Sequence, residues 1–440
     1  MAAMHASTAD RFGLAHARGN DAALDNFARA TLGLLAYRAD MMPALDDALA
    51  AEPDLPAAHA LRGLAMLIAA RAETQMLAAN CLAAGEAARA ETDDEIALLG
   101  ALRAGLAVGL IAAADVLDAR LAAHPTAPLL IKLATGLRFT GGDAAGMLST
   151  TITIMPAWSP ALPGYSHVLG CHAFGLEEAG AFVEAERAGR RALELDPADP
   201  WAIHAIAHVC EMTQHWGSGI AFIEATRAQW QTGNPFDRHV VWHLALFTLD
   251  RGGVDAALDL YDREIRPDRS EDNRDMTNAI ALLWRIRQFG GDVGDRWAEL
   301  ADIARRRCEE TTLVFATLHR LFALIAVGDR ASAQATVAAL AAAAQSGSGE
   351  QAWVAAAVGL PLARALLASR DPAEAAALPL NRIAAGMEPI GGSFAQRDVF
   401  MRSLLSLALR RGDQAAGDRI LKIRRRLKQD DRFVAMLAAG

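Results

Sequence analysis

The stretch Trp201-Ala-Ile-His204-Ala-Ile-Ala-His208-Val-Cys-Glu211 puts two imidazoles and a carboxylate on one stripe of a helix, because positions i, i+4 and i+7 return to the same face. Side chains of these types at this spacing suit three kinds of chemistry. His204, His208 and Glu211 could fill three positions of a divalent zinc or iron centre and leave a fourth for water. The residue after His204 is alanine, however, where an HExxH helix carries its general-base glutamate. An imidazole of near-neutral pKa beside a partly buried glutamate is also a proton shuttle that needs no metal. Third, the same groups can bind an anionic or peptide-like ligand.

The stripe has company. Seven of the twelve histidines (His167, His172, His204, His208, His215, His239 and His243) fall within 77 residues. His172 and His208 are 36 residues apart, while His204–His239 and His208–His243 are each 35 apart. One such interval is one helical hairpin, so these residues occupy similar places on successive helices. The candidate catalytic residues are therefore His204, His208, Glu211 and His243. The candidate ligand-binding residues are His167, His172, Glu177, Glu178, Trp201, His239, Trp242 and Arg285. A structural alternative stands beside both: stacked histidines that only hydrogen-bond one helix to the next. His215 lies at a turn and is peripheral. Asp250 either reaches the site or is a solvated helix end. Cys171 and Cys210 fit as small core residues.

The elements that must position these groups are helices. Alanine, leucine and arginine dominate, and sustained strand alternation is absent. Pro53, Pro125 and Pro197 each close an Ala/Leu-rich segment, and each is followed three residues later by another proline. Between Gly175 and Pro197 the pattern is helix, turn at Gly180, helix, proline stop. Similar turns recur at Gly141, Gly252, Gly291, Gly328 and Gly412, and Thr150–Ile154 is expected as a frayed loop. This pattern resembles the tetratricopeptide repeat, a 34-residue helical hairpin. The expected fold is all-α, a right-handed α-solenoid of degenerate repeats of that kind. Its expected divisions are an N-terminal extension (1–20), degenerate N-terminal repeats (21–160), central His-rich repeats (161–290) and C-terminal repeats (291–440).

The segments His167-Val-Leu-Gly-Cys-His172-Ala-Phe-Gly-Leu-Glu177-Glu178, Trp201 to Met212, and His239-Val-Val-Trp242-His243 together look like the tetratricopeptide repeat protein 38 family. The resemblance covers roughly residues 160–265. It implies a helical-repeat fold and a His-rich central region, and no activity. In tetratricopeptide repeats the positions taken by His204, His208 and Glu211 face the concave groove. The same count turns His167, Glu177, Glu178, His239 and Trp242 inward, with Arg285 one repeat further on.

Charge and composition remove other classes. A net charge of −9 argues against a nucleic-acid partner, which needs a basic face. The basic run Arg419 to Lys428 is expected as a solvated terminal helix. Four separated cysteines without a CxxC pair fit a reducing compartment. The start lacks a signal-peptide pattern, and the longest apolar stretch, Ala104 to Ala114, is too short for a bilayer. The expectation is a cytoplasmic protein with no membrane partner, its oligomeric state open. Two functions remain: a repeat module binding a small molecule, peptide or partner in a His/Glu/Trp-lined concave groove, or a small-molecule enzyme built on that groove.

Overall fold

Proline sets the frame. Pro56, Pro128 and Pro200 each begin a helix, where the missing N–H is one that no helical carbonyl would have accepted. Pro56 to Pro128 and Pro128 to Pro200 are each 72 residues, the length of two hairpins. The structure, a computed structural model, describes residues 8–231, 233–368 and 378–439. It divides into two units: Met1–Ile206 with Thr226–Pro235, and Ala207–Ala225 with Phe236–Gly440.

The first unit opens with a two-stranded antiparallel hairpin, β1 (Thr8–Ala9) and β2 (Ala15–His16), in which Thr8 pairs with His16. Five helical hairpins follow: α1 (Asp21–Leu35) with α2 (Met41–Ala51), α3 (Pro56–Ala69) with α4 (Ala72–Ala87), and α5 (Asp93–Ala107) with α6 (Leu110–Ala123). The last two are α7 (Pro128–Gly141) with α8 (Ala144–Ile154), and α9 (Tyr165–Glu178) with α10 (Phe182–Leu195). Their core is mostly leucine and alanine, and glycine lets helices come closer still. A Cβ on Gly63 would sit 2.3 Å from Leu102 Cδ2.

α11 (Pro200–Met212) crosses the division, and the short α13 (Arg227–Trp230) belongs to the first unit. The second unit holds α12 (Trp216–Ala225), α14 (Phe236–Asp250) with α15 (Val254–Leu260), α16 (Asn273–Gln288) with α17 (Trp297–Arg306), and α18 (Val314–Val327) with α19 (Arg330–Ser346). It ends with α20 (Glu350–Val354), α21 (Leu360–Leu367), α22 (Leu380–Ala385), α23 (Phe394–Arg410) with α24 (Gln414–Arg424), and α25 (Arg432–Ala439). The fold class is an all-α helical-repeat solenoid, as the hairpin period led one to expect.

Three local expectations need correction. Thr150–Ile154 is the last turn of α8, not a loop, and the Thr150 and Thr151 hydroxyls are satisfied within the helix by donating back to the carbonyls of Gly146 (3.1 Å) and Leu148 (3.0 Å). Gly141 ends α7, while Gly142 takes the left-handed conformation, with φ +75. The basic run is not simply a solvated helix. Arg424 and Lys428 are buried, for reasons that belong to the site.

In a simple array each hairpin touches only its neighbours. The second unit departs from that rule. α23 packs on α16, where Arg285 Nη2 donates to the Ala395 carbonyl (2.6 Å) and Trp284 Nε1 to Ser403 Oγ (3.0 Å). The C-terminal hairpin therefore packs back on α16, more than a hundred residues earlier in its own unit.

Candidate functional site

The residues singled out from the sequence divide between the two units. In the first, Asp199 caps α11, accepting from the backbone N–H of Trp201 (2.9 Å) and Ala202 (3.2 Å) through Oδ1. Its other oxygen lies 3.1 Å from His167 Nδ1. His172 Nδ1 pairs with Thr151 Oγ1 at 3.0 Å, and partial burial lowers its pKa. Glu177 and Glu178 are buried at the C-terminal end of α9. Lys132 Nζ sits 4.2 Å from the Trp201 ring centroid and 4.4 Å from that of Tyr37. His204 packs against Trp201 and Phe174, with ring centroids 4.7 and 5.2 Å away.

The second unit gathers His208, Glu211, His239, Trp242, His243 and Arg285. Glu211 lies one turn beyond His208 on α11, and His239 and His243 are one turn apart on α14. α12 packs against both helices through Gly219, where a Cβ would stand 2.7 Å from Phe247 and 3.0 Å from Cys210 Cβ. Glu211 Oε2 accepts from His243 Nδ1 at 2.9 Å. The His243 ring centroid is 4.5 Å from that of His208 and 5.0 Å from that of His239. His239 Nδ1 reaches Asn278 Oδ1 on α16 at 3.2 Å. The His239 ring stacks on Trp242 at 5.4 Å, and the Arg285 guanidinium lies 5.4 Å from the same indole. The sequence placed these side chains along an open concave surface. Here they are interior: His208 and His243 are 0 % exposed and Glu211 is 1 %. The stripe of α11 faces the stripe of α14, and each covers the other.

Beneath this group lies an ionic network that the sequence did not reveal. Glu211 Oε1 pairs with Lys428 Nζ at 3.2 Å. Asp398 and Asp431 are bridged by Arg402 (3.2 and 2.8 Å) and Arg424 (2.6 Å to each), and Arg402 also reaches Asp250 at 3.3 Å. Four carboxylates thus stand with four cations (Lys428, Arg402, Arg424 and Arg285), all buried. A faint signal did exist. Asp398 and Arg402 are spaced i, i+4 on α23, so that pair shares a helical face.

The electrostatics follow from this packing. Burial alone would raise the Glu211 pKa, but Lys428, His243 and His208 outweigh it and hold the carboxyl far below its ordinary range. Burial likewise opposes ionisation of Asp398 and Asp431, and the surrounding Arg424 and Arg402 override it. Burial lowers His243 to about 4, with His208 adding to the effect and Glu211 resisting it. Burial and then His243 push His239 well below its ordinary 6.5. These two imidazoles are neutral at neutral pH. Burial and nearby Arg402 bring Arg285 down to about 10, which leaves it charged.

No family model matches the chain. Among solved structures, one titled "Structure of Naa15/Naa10 bound to HypK-THB" aligns over 95% of this chain and 69% of its own, at 15% identity and a TM-score of 0.31. That is too slight a likeness to carry an argument, so the fold class rests on the hairpins themselves. Among the described residues no helix is long and apolar enough to cross a membrane.

Proposed function

We propose that this helical-repeat protein binds a small ligand within its central repeats (161–290), at His208, Glu211, His239, Trp242, His243 and Arg285. One observation carries the reading: a buried Glu211 held between Lys428 Nζ and His243 Nδ1, at 3.2 and 2.9 Å. A buried ion pair is seldom more stabilising than well-packed apolar groups of the same volume. Titratable groups with displaced pKa values gathered in one place are a common mark of a functional site. Enclosure favours a small molecule or ion over an extended peptide on an exposed face.

A second reading, acid–base catalysis on a small molecule, draws on the Glu211–His243 dyad. Its difficulty is the low pKa of His243, about 4, since a proton acceptor working at neutrality is best placed near 7. Ligand binding by neutral imidazoles is the better fit.

The test is a thermal-shift panel of small carboxylates, phosphates, amines and divalent metal ions, run on the full chain and on His243→Leu. A compound that raises the midpoint of the wild type and not of the variant supports the site. If nothing shifts the wild type, and His243→Leu is markedly less stable, the histidines are a structural ladder and the proposal fails.

A further inference from the structure

We propose that His208, His239 and His243 form a three-histidine site for a divalent transition-metal ion of the zinc type. The inference rests on the ligand-site reading above and names its ligand. Each of the three rings offers a nitrogen within 4.8 Å of the nitrogens of the other two. Zinc–imidazole bonds are about 2.0–2.1 Å, so tetrahedral ligand nitrogens stand roughly 3.3 Å apart. Small side-chain rotations would close the difference.

Two of the rings are already set in the right tautomer. Glu211 is an acceptor, so the 2.9 Å contact fixes the proton on Nδ1 of His243 and leaves its lone pair on Nε2. The Asn278 carbonyl oxygen does the same for His239 at 3.2 Å. A carboxylate or carbonyl behind each ligating imidazole is the usual second layer of a histidine metal site. Donors of this kind favour zinc, copper, nickel or iron over magnesium and calcium, which take oxygen.

This donor set differs from the stripe first suspected. Glu211 serves as a positioning residue rather than a ligand, since its two oxygens face His243 and Lys428.

The experiment uses the full chain stripped of metal with a chelator, then titrated with Co(II) and separately with Zn(II). The expected result is one equivalent bound per chain by elemental analysis, and visible d–d absorption of tetrahedral Co(II). His239→Ala and His243→Ala should abolish both, and His215→Ala should retain both. Glu211→Gln should weaken affinity by about 10–100-fold, with stoichiometry unchanged. If a histidine variant fails to fold, the wild-type Co(II) titration still decides. No d–d band and no stoichiometric zinc overturns the metal. Should an organic compound in the thermal panel still act through His243, the ligand site survives and only its ligand was misnamed. If that panel is silent too, the ligand-site reading falls with the metal.

Discussion

Lys428 Nζ lies 3.2 Å from Glu211 Oε1 across 217 residues of sequence, and both side chains are almost wholly buried. A residue just past α24 thereby fixes the carboxylate that orients His243. Removing one partner of such a pair leaves an uncompensated charge in the interior. Lys428→Met should destabilise the second unit by about 3–5 kcal/mol. Lys428→Met with Glu211→Gln together should cost less than the sum of the two, read from urea unfolding as a double-mutant cycle. Strict additivity would show that the pair does not interact.

Acid should weaken the second unit in two stages. His243 falls from 6.5 to about 4 on folding, because burial disfavours its charged form. Between those values the unfolded chain binds a proton that the folded chain does not, so stability declines as pH falls through that window. His239 acts in the same direction. Glu211, Asp398 and Asp431 are depressed carboxylates. Their contribution is present above about pH 4 and is lost as pH falls further, towards their folded values. Urea midpoints measured from pH 7 to 3 should show both stages, and His243→Leu should flatten the first by about one proton. An unchanged slope in that variant would mean that His243 is not buried neutral.

Trp242 reports on the cluster. Its indole stacks on His239 at 5.4 Å and an interplanar angle of 14°. Co(II) bound by His239 should quench its emission, and Trp242→Phe should remove most of that quenching while the other tryptophans continue to emit. Equal quenching in wild type and variant would place the ion elsewhere.

Lys132 provides a contrast in the first unit. Its ammonium sits against the rings of Tyr37 and Trp201, and its pKa is raised: burial opposes the charge, and Tyr37, Cys171 and Asp199 favour it. Lys132→Met should cost about 2–4 kcal/mol through the lost cation–π and ionic contacts. Co(II) stoichiometry should stay at its wild-type value. A loss of metal binding in this variant would count against a site complete in His208, His239 and His243.

Much of the local structure was legible beforehand because it is periodic. Pro53, Pro125 and Pro197 announced helix ends, and Gly180, with φ +80, announced a hairpin turn. Errors of one residue, such as Gly141 for Gly142, reflect how little sequence separates the last helical residue from the left-handed one after it. The 35-residue interval gave His208 and His243 similar places on successive helices, and in the structure their ring centroids are 4.5 Å apart.

The sequence by itself determined the helices, their hairpin pairing and the stripes that carry His208, Glu211, His239 and His243, since each follows from a period of 3.6 or of one hairpin. Only the tertiary structure decided that the stripes are buried and not lining an open groove, that Asn278 stands behind His239, and that Arg402, Arg424 and Lys428 surround the carboxylates. The last of these depends on α23 returning to α16. A contact between residues more than a hundred positions apart leaves no periodic trace, so a run of arginines and lysines reads as a solvated face until the fold encloses it.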